Sequence, residues 1–120
     1  MHEYLRALAA GDSDRLDTVV AEDVCVLAPD GQVVFADRAA WKEAMAGEPF
    51  EDSRIDVEEI VCEGGKVAVR YRLECVEVAT GRHITTSGTK IYTVVDGRVA
   101  HIAGHDDALG VMRQLGLLEG

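Results

Sequence analysis

Val67-Ala68-Val69-Arg70-Tyr71-Arg72-Leu73-Glu74-Cys75-Val76 alternates apolar residues with charged or small ones. Successive side chains on a strand point to opposite faces, so the pattern predicts a strand with two unlike sides. Val67, Val69, Tyr71, Leu73 and Cys75 make one oily face, and Ala68, Arg70, Arg72, Glu74 and Val76 make the other. Such a strand needs partners at its edges and a cover over its oily face. The flanking sequence supplies the partners. Residues 54–62 precede it across Gly64-Gly65, and 83–95 follow it across Thr80-Gly81. Asp96-Gly97 then makes a tight hairpin into 98–105. Each joint has the chemistry of a hairpin turn, so four long strands form an antiparallel meander.

The cover comes from the first part of the chain. Residues 2–10 place Tyr4, Leu5, Leu8 and Ala9 on one helical stripe, which Gly11 ends. Asp12 or Ser13 caps a second helix bearing Leu16, Val19 and Val20. Residues 24–28 read as a strand, Pro29-Asp30-Gly31 as a turn, and 32–36 as a returning strand. Asp37 caps a third helix with Trp41, Ala44 and Met45 on one side, closed by Gly47 and Pro49. A last helix is expected over 108–115. Helices followed by a meander are an α+β order, with the early helices roofing the concave side of a curved sheet.

Composition narrows the function. The chain has 120 residues, 48% apolar and 28% charged, which suits one globular domain over 1–120. A net charge of −10 repels phosphate backbones and anionic lipid, so neither nucleic acid nor membrane is an expected partner. The three cysteines, Cys25, Cys62 and Cys75, have no C-x-x-C spacing and read as small buried hydrophobes rather than disulfides or metal ligands. The opening residues lack the apolar core of a signal peptide, and the expected location is the cytoplasm.

Several stretches resemble the nuclear transport factor 2-like superfamily. The opening Tyr4-Leu-Arg-Ala-Leu-Ala-Ala-Gly11-Asp12 and the run Glu22 to Gly31 carry the likeness. Thr80-Gly81-Arg82, Ile91 to Val99, Asp107 and Arg113-Gln114-Leu115-Gly116-Leu117 resemble its SnoaL-like polyketide cyclase branch. The resemblance implies a cone-shaped α+β roll enclosing an apolar cavity for a small apolar molecule, and a homodimer joined through the sheet's outer face. It also implies acid/base chemistry without a cofactor: a pocket carboxylate catalyses an intramolecular aldol ring closure. Counting from Gly97 and from Gln114, that carboxylate falls on Asp107. The cyclases' basic residue on the preceding strand corresponds to Thr93, a departure. Ketosteroid isomerase shares the fold. Its oxyanion-hole tyrosine matches Tyr4, its base falls on Ala28, and its second acid falls near Lys90.

The candidate residues each have a plainer reading. Asp107 suits an acid/base, because a carboxylate in an apolar pocket is pushed towards neutrality, yet it also sits where an Asp caps the last helix. Asp106 points to the opposite side if the strand persists, and a one-residue slip in register exchanges the two. His105 is a candidate partner. It shares a strand face with His101, but scattered histidines are the simpler reading and no metal is expected. Tyr4 serves as a hydrogen-bond donor or as a core aromatic. Lys90 lies on a threonine-rich strand without clean alternation, so its face stays open. Leu27, Trp41, Val69, Tyr71, Leu73 and Thr93 complete the expected pocket. The leading reading is a cofactor-free isomerase or cyclase acting on an apolar carbonyl compound. Its rivals are a non-catalytic binding domain and an epoxide-opening hydrolase that would need an arginine between carboxylates.

Overall fold

The computed structural model describes residues 2–47 and 50–116; Pro49 and Leu117 lie outside them. The chain forms α1 (His2–Ala10), α2 (Ser13–Val19), β1 (Val20–Leu27), β2 (Val33–Phe35) and α3 (Arg38–Ala46). It continues through β3 (Phe50–Glu63), β4 (Lys66–Glu77), β5 (His83–Val95), β6 (Arg98–Asp106) and α4 (Ala108–Gln114). The caps are those the sequence offers. Asp12 accepts from the Arg15 amide at 3.1 Å, and Asp37 from the Ala40 amide at 2.7 Å. Asp96 and Gly97 both take positive φ, 52° and 78°, as a two-residue turn between twisted strands requires.

The six strands form one curved sheet in the order β2-β1-β6-β5-β4-β3. The antiparallel meander holds for β3 to β6. The N-terminal pair extends it, because β1 runs parallel to β6, with Val26 beside Ile102. The sheet is therefore mixed, and β6 lies in its interior.

The concave face gathers Val67, Val69, Tyr71 and Cys75 from β4, Ile84 and Tyr92 from β5, and Val99 and Ile102 from β6, all buried. Val20 and Val24 of β1 join them. The helices close over this face with Tyr4, Leu5, Ala7, Leu16 and Trp41. Tyr4 stacks on Trp41 at 6.4 Å between centroids and meets Tyr92 edge-on at 5.1 Å. Such aromatic geometry adds specificity to the area it buries. Arg38 donates to the Asp17 and Val20 carbonyls at 3.0 and 2.9 Å, which ties the start of α3 to the α2–β1 junction.

On the convex face Arg70, Arg72 and Glu74 are exposed, as the alternation on β4 requires. Cys62 departs from expectation. It is exposed, on β3 at the edge of the sheet, where one side of the strand has no partner. Cys75, at mid-sheet, is buried. No helix among the described residues is long and apolar enough to cross a membrane.

Candidate active site

Cross-strand register decides which polar groups reach the concave side. Lys90 pairs with Val69 on one side and Gly104 on the other. Gly88 likewise lies between Tyr71 and Asp106. Directly paired residues share a face. Lys90, Asp106 and the two glycines therefore stand on the face of Val69 and Tyr71, and the ambiguity of the threonine-rich strand resolves with Lys90 inward. Thr86, paired with Leu73, is on this side as well.

The side chains converge. The Tyr71 hydroxyl donates a hydrogen bond to the Asp106 carboxylate. The Lys90 ammonium lies 5.6 Å from the centroid of the Tyr71 ring, within cation–π range. Two glycines make the room. A Cβ on Gly88 would stand 2.6 Å from an Asp106 carboxylate oxygen and 2.7 Å from the Tyr71 hydroxyl. A Cβ on Gly104 would stand 2.6 Å from Cγ of Lys90. The acid and the lysine stem thus lie across two positions of the floor, Gly88 and Gly104, that carry no side chain. A glycine inside a strand marks such a close approach.

Asp106 keeps an open side to solvent, yet the atoms around its carboxyl bury it enough to raise its pKa above the ordinary carboxylate value. A proton is then held more readily, which suits a group that must both take and return one. Nearby, burial pushes the Tyr92 phenol up to about 12. Burial, and then the neighbouring Tyr92, raise Tyr4 well above its ordinary value. Both phenols remain protonated donors near neutral pH.

The other sequence candidates are placed as follows. Asp107 lies one residue beyond the strand and accepts from the Gly110 amide at 3.0 Å as the N-cap of α4. His105 pairs with Thr89 on the convex face and is exposed. Thr93 is on that face too, where its hydroxyl accepts from Lys66 at 2.8 Å. Leu27 pairs with Ala103, and its neighbour Val26 is the residue beside Ile102 that packs on the core. Tyr4 and Trp41 belong to the buried roof, at 2% and 6% exposure. Val69 and Tyr71 form the concave floor, and half-buried Leu73 continues it along β4. Arg70 and Arg72 point away from this site. Two open surface hollows, one against α1 and one beside β1 and the β5–β6 hairpin, do not include it.

Two side-chain roles emerge only from the structure. One is the Thr86 hydroxyl, buried with no hydrogen-bond partner. The other is Gln114. Past the end of β6 the edge of β5 loses its ladder partner, and the Gln114 amide replaces it. Its oxygen accepts from the Thr85 amide at 2.8 Å, and its nitrogen donates to the Thr85 carbonyl at 2.7 Å. That pair pins α4, which begins two residues after Asp106. Gln114→Ala should lower stability by about 1 kcal/mol, read by urea denaturation, because two backbone groups lose their partner at a partly solvated edge.

Comparison with known proteins agrees with this architecture. A family model described as the SnoaL-like domain matches residues 1–102. No functionally curated protein matches significantly. Among solved structures, IdmH from Streptomyces antibioticus, a proposed polyketide cyclase, is 23% identical with a TM-score of 0.82, over 96% of this chain and 94% of its own. TsrD from Streptomyces laurentii is 25% identical with a TM-score of 0.84, over 98% and 92%. An M. tuberculosis LEH-like epoxide hydrolase is 15% identical with a TM-score of 0.78, over 96% and 88%. With a family match across most of its length and the same helix-roofed sheet, the chain belongs to the SnoaL-like family and has the nuclear transport factor 2-like fold.

Proposed function

We propose that the protein is a cofactor-free acid/base catalyst that enolises a small, mostly apolar carbonyl compound, leading to isomerisation or ring closure. One observation carries the reading: Asp106, its pKa raised by burial, lies on the concave face in a hydrogen bond from Tyr71. The ionised carboxylate takes a proton from the carbon next to the carbonyl. The C–H electron pair becomes the enolate double bond, and the carbonyl π pair moves onto oxygen. The Lys90 ammonium balances that oxygen's charge. Asp106, now neutral, returns its proton to another carbon of the same molecule, or the enolate carbon attacks a second carbonyl, closing a ring, and the alkoxide so formed takes the proton back from Asp106. Tyr71 holds the carboxylate in aim throughout.

The epoxide-opening reading has less support, since Arg70 and Arg72 lie on the convex face. The same convex face suits self-association: Val61 and Ile91 are 59% and 50% exposed there, next to charges of both signs. A homodimer is the assembly we infer, and sedimentation reads it directly.

Acetophenone provides the test, as a small apolar ketone with exchangeable methyl protons. In heavy water the protein should accelerate its deuteration, followed by NMR. Tyr71→Phe should slow that rate by about tenfold by releasing the carboxylate from its hydrogen bond. Exchange no faster than in buffer would remove the enolisation reading.

A further inference from the structure

We infer that Thr86 is a specificity-determining residue, selecting carbonyl substrates that carry a second oxygen at the far end from the enolised carbon. The inference rests on the enolisation reading above and adds to it the kind of molecule the site accepts.

Three observations lead there. Thr86 is half-buried on the concave side of β5, across from Leu73. It is the inward-facing residue next along the strand from Gly88, over which the Asp106 carboxylate lies. Its hydroxyl is buried and has no hydrogen-bond partner. Buried hydroxyls are ordinarily paired, and leaving one unpaired is unfavourable. Such an exception at the edge of a reactive cluster calls for a partner that arrives with the ligand.

The side chain can provide for one. A turn about its Cα–Cβ bond exchanges the hydroxyl with the methyl between staggered positions. As placed, the hydroxyl is buried and unpaired. With an oxygen above it, the turn recovers a hydrogen bond. Thr86 and Gly88 are two strand steps apart, so the second oxygen stands roughly 6.6 Å along the floor from the carbon above Asp106. Leu73, half-buried beside it, lies against the apolar span between the two polar ends. The substrate class is therefore a flat, oxygenated ketone with polar atoms at both ends, rather than a simple hydrocarbon ketone.

A pair of ketones tests this. Acetophenone has one oxygen, and para-hydroxyacetophenone has a hydroxyl across the ring from the carbonyl. Affinities are measured by NMR titration for the wild type, Thr86→Val and Thr86→Ser. The wild type should bind the hydroxylated ketone about tenfold more tightly, the value of one neutral hydrogen bond. Thr86→Val should erase that preference while keeping its affinity for acetophenone, and Thr86→Ser should retain it. Thr86→Val should also be no less stable than the wild type, because no bond is lost, and this separates a ligand contact from a structural one. A preference that survives in Thr86→Val, or is missing from the wild type, overturns the assignment. The two readings fail separately: absence of deuterium exchange sinks the enolisation, whereas exchange without the Thr86-dependent preference sinks only the present inference.

Discussion

Asp106→Asn is expected to slow deuteration of a bound ketone by about 10²–10⁴-fold, the range that a positioned general base supplies. Asparagine has nearly the same shape, and its side-chain oxygen still accepts from the Tyr71 hydroxyl. What it cannot do is take up the proton. Ligand affinity, measured separately, should therefore change little. The same substitution has a signature in stability. Because burial raises the carboxyl's pKa, the folded chain binds that proton more tightly than the unfolded chain does. Ionised Asp106 thus costs stability at neutral pH. That cost falls away as pH drops from the raised value towards the ordinary value of 3.8. Asp106→Asn should melt higher than the wild type near neutrality, and the gap should close in that acid window. Asp107→Asn is the companion measurement. Asparagine caps a helix as well as aspartate does, so stability should hold. Loss of exchange in that variant instead would move the proton-carrying role one residue along.

Gly88→Ala should disable the same site from below. The added Cβ would stand 2.5 Å from the His105 carbonyl oxygen as well as close to the Asp106 carboxylate and the Tyr71 hydroxyl. Two of these neighbours can swing away, at the expense of the hydrogen bond between them. The backbone oxygen cannot, because it belongs to the β5–β6 pairing. Overpacking against backbone costs about 1–3 kcal/mol. We expect a loss of that size by urea denaturation, together with a fall in exchange rate resembling Tyr71→Phe. A stable Gly88→Ala protein with the Tyr71–Asp106 bond intact would show that the floor is more yielding than its geometry implies.

Much of the fold was readable because its signals are local. The D-G turn, the Asp caps and the alternation on β4 each depend on neighbours a few residues apart. The partner of β1 was not readable in that way. Its parallel pairing with β6 joins segments some 75 residues apart, and no turn chemistry advertises it. Side-chain direction was the other weak point. At Val26 and Leu27, and again at Asp106 and Asp107, a shift of one residue exchanges concave for convex or strand for cap. The ladder irregularities at Val26/Leu27 and at Thr93/Val94 are where simple counting loses its phase. Lys90 could be placed only through its partner Val69. Gly88 and Gly104 did carry a usable signal, since glycines within strands suggest a close approach. Thr86 carried none, because nothing separates it from Thr85 or Thr89 until pairing is known.

The interior position of β6 also matters while the chain is being made. A ribosome delivers the segments in order, so β1 and its helices emerge long before the strand they must lie beside. Until residue 106 or so clears the exit tunnel, β1 has only the short β2 at its side, and the edge of β5 also waits. The joining of β1 to β6 is thus a late event between distant parts of the polypeptide, a slow kind of step that leaves sticky edges uncovered meanwhile. The nascent chain should be most vulnerable to aggregation just before that strand appears, and most in need of a holdase then.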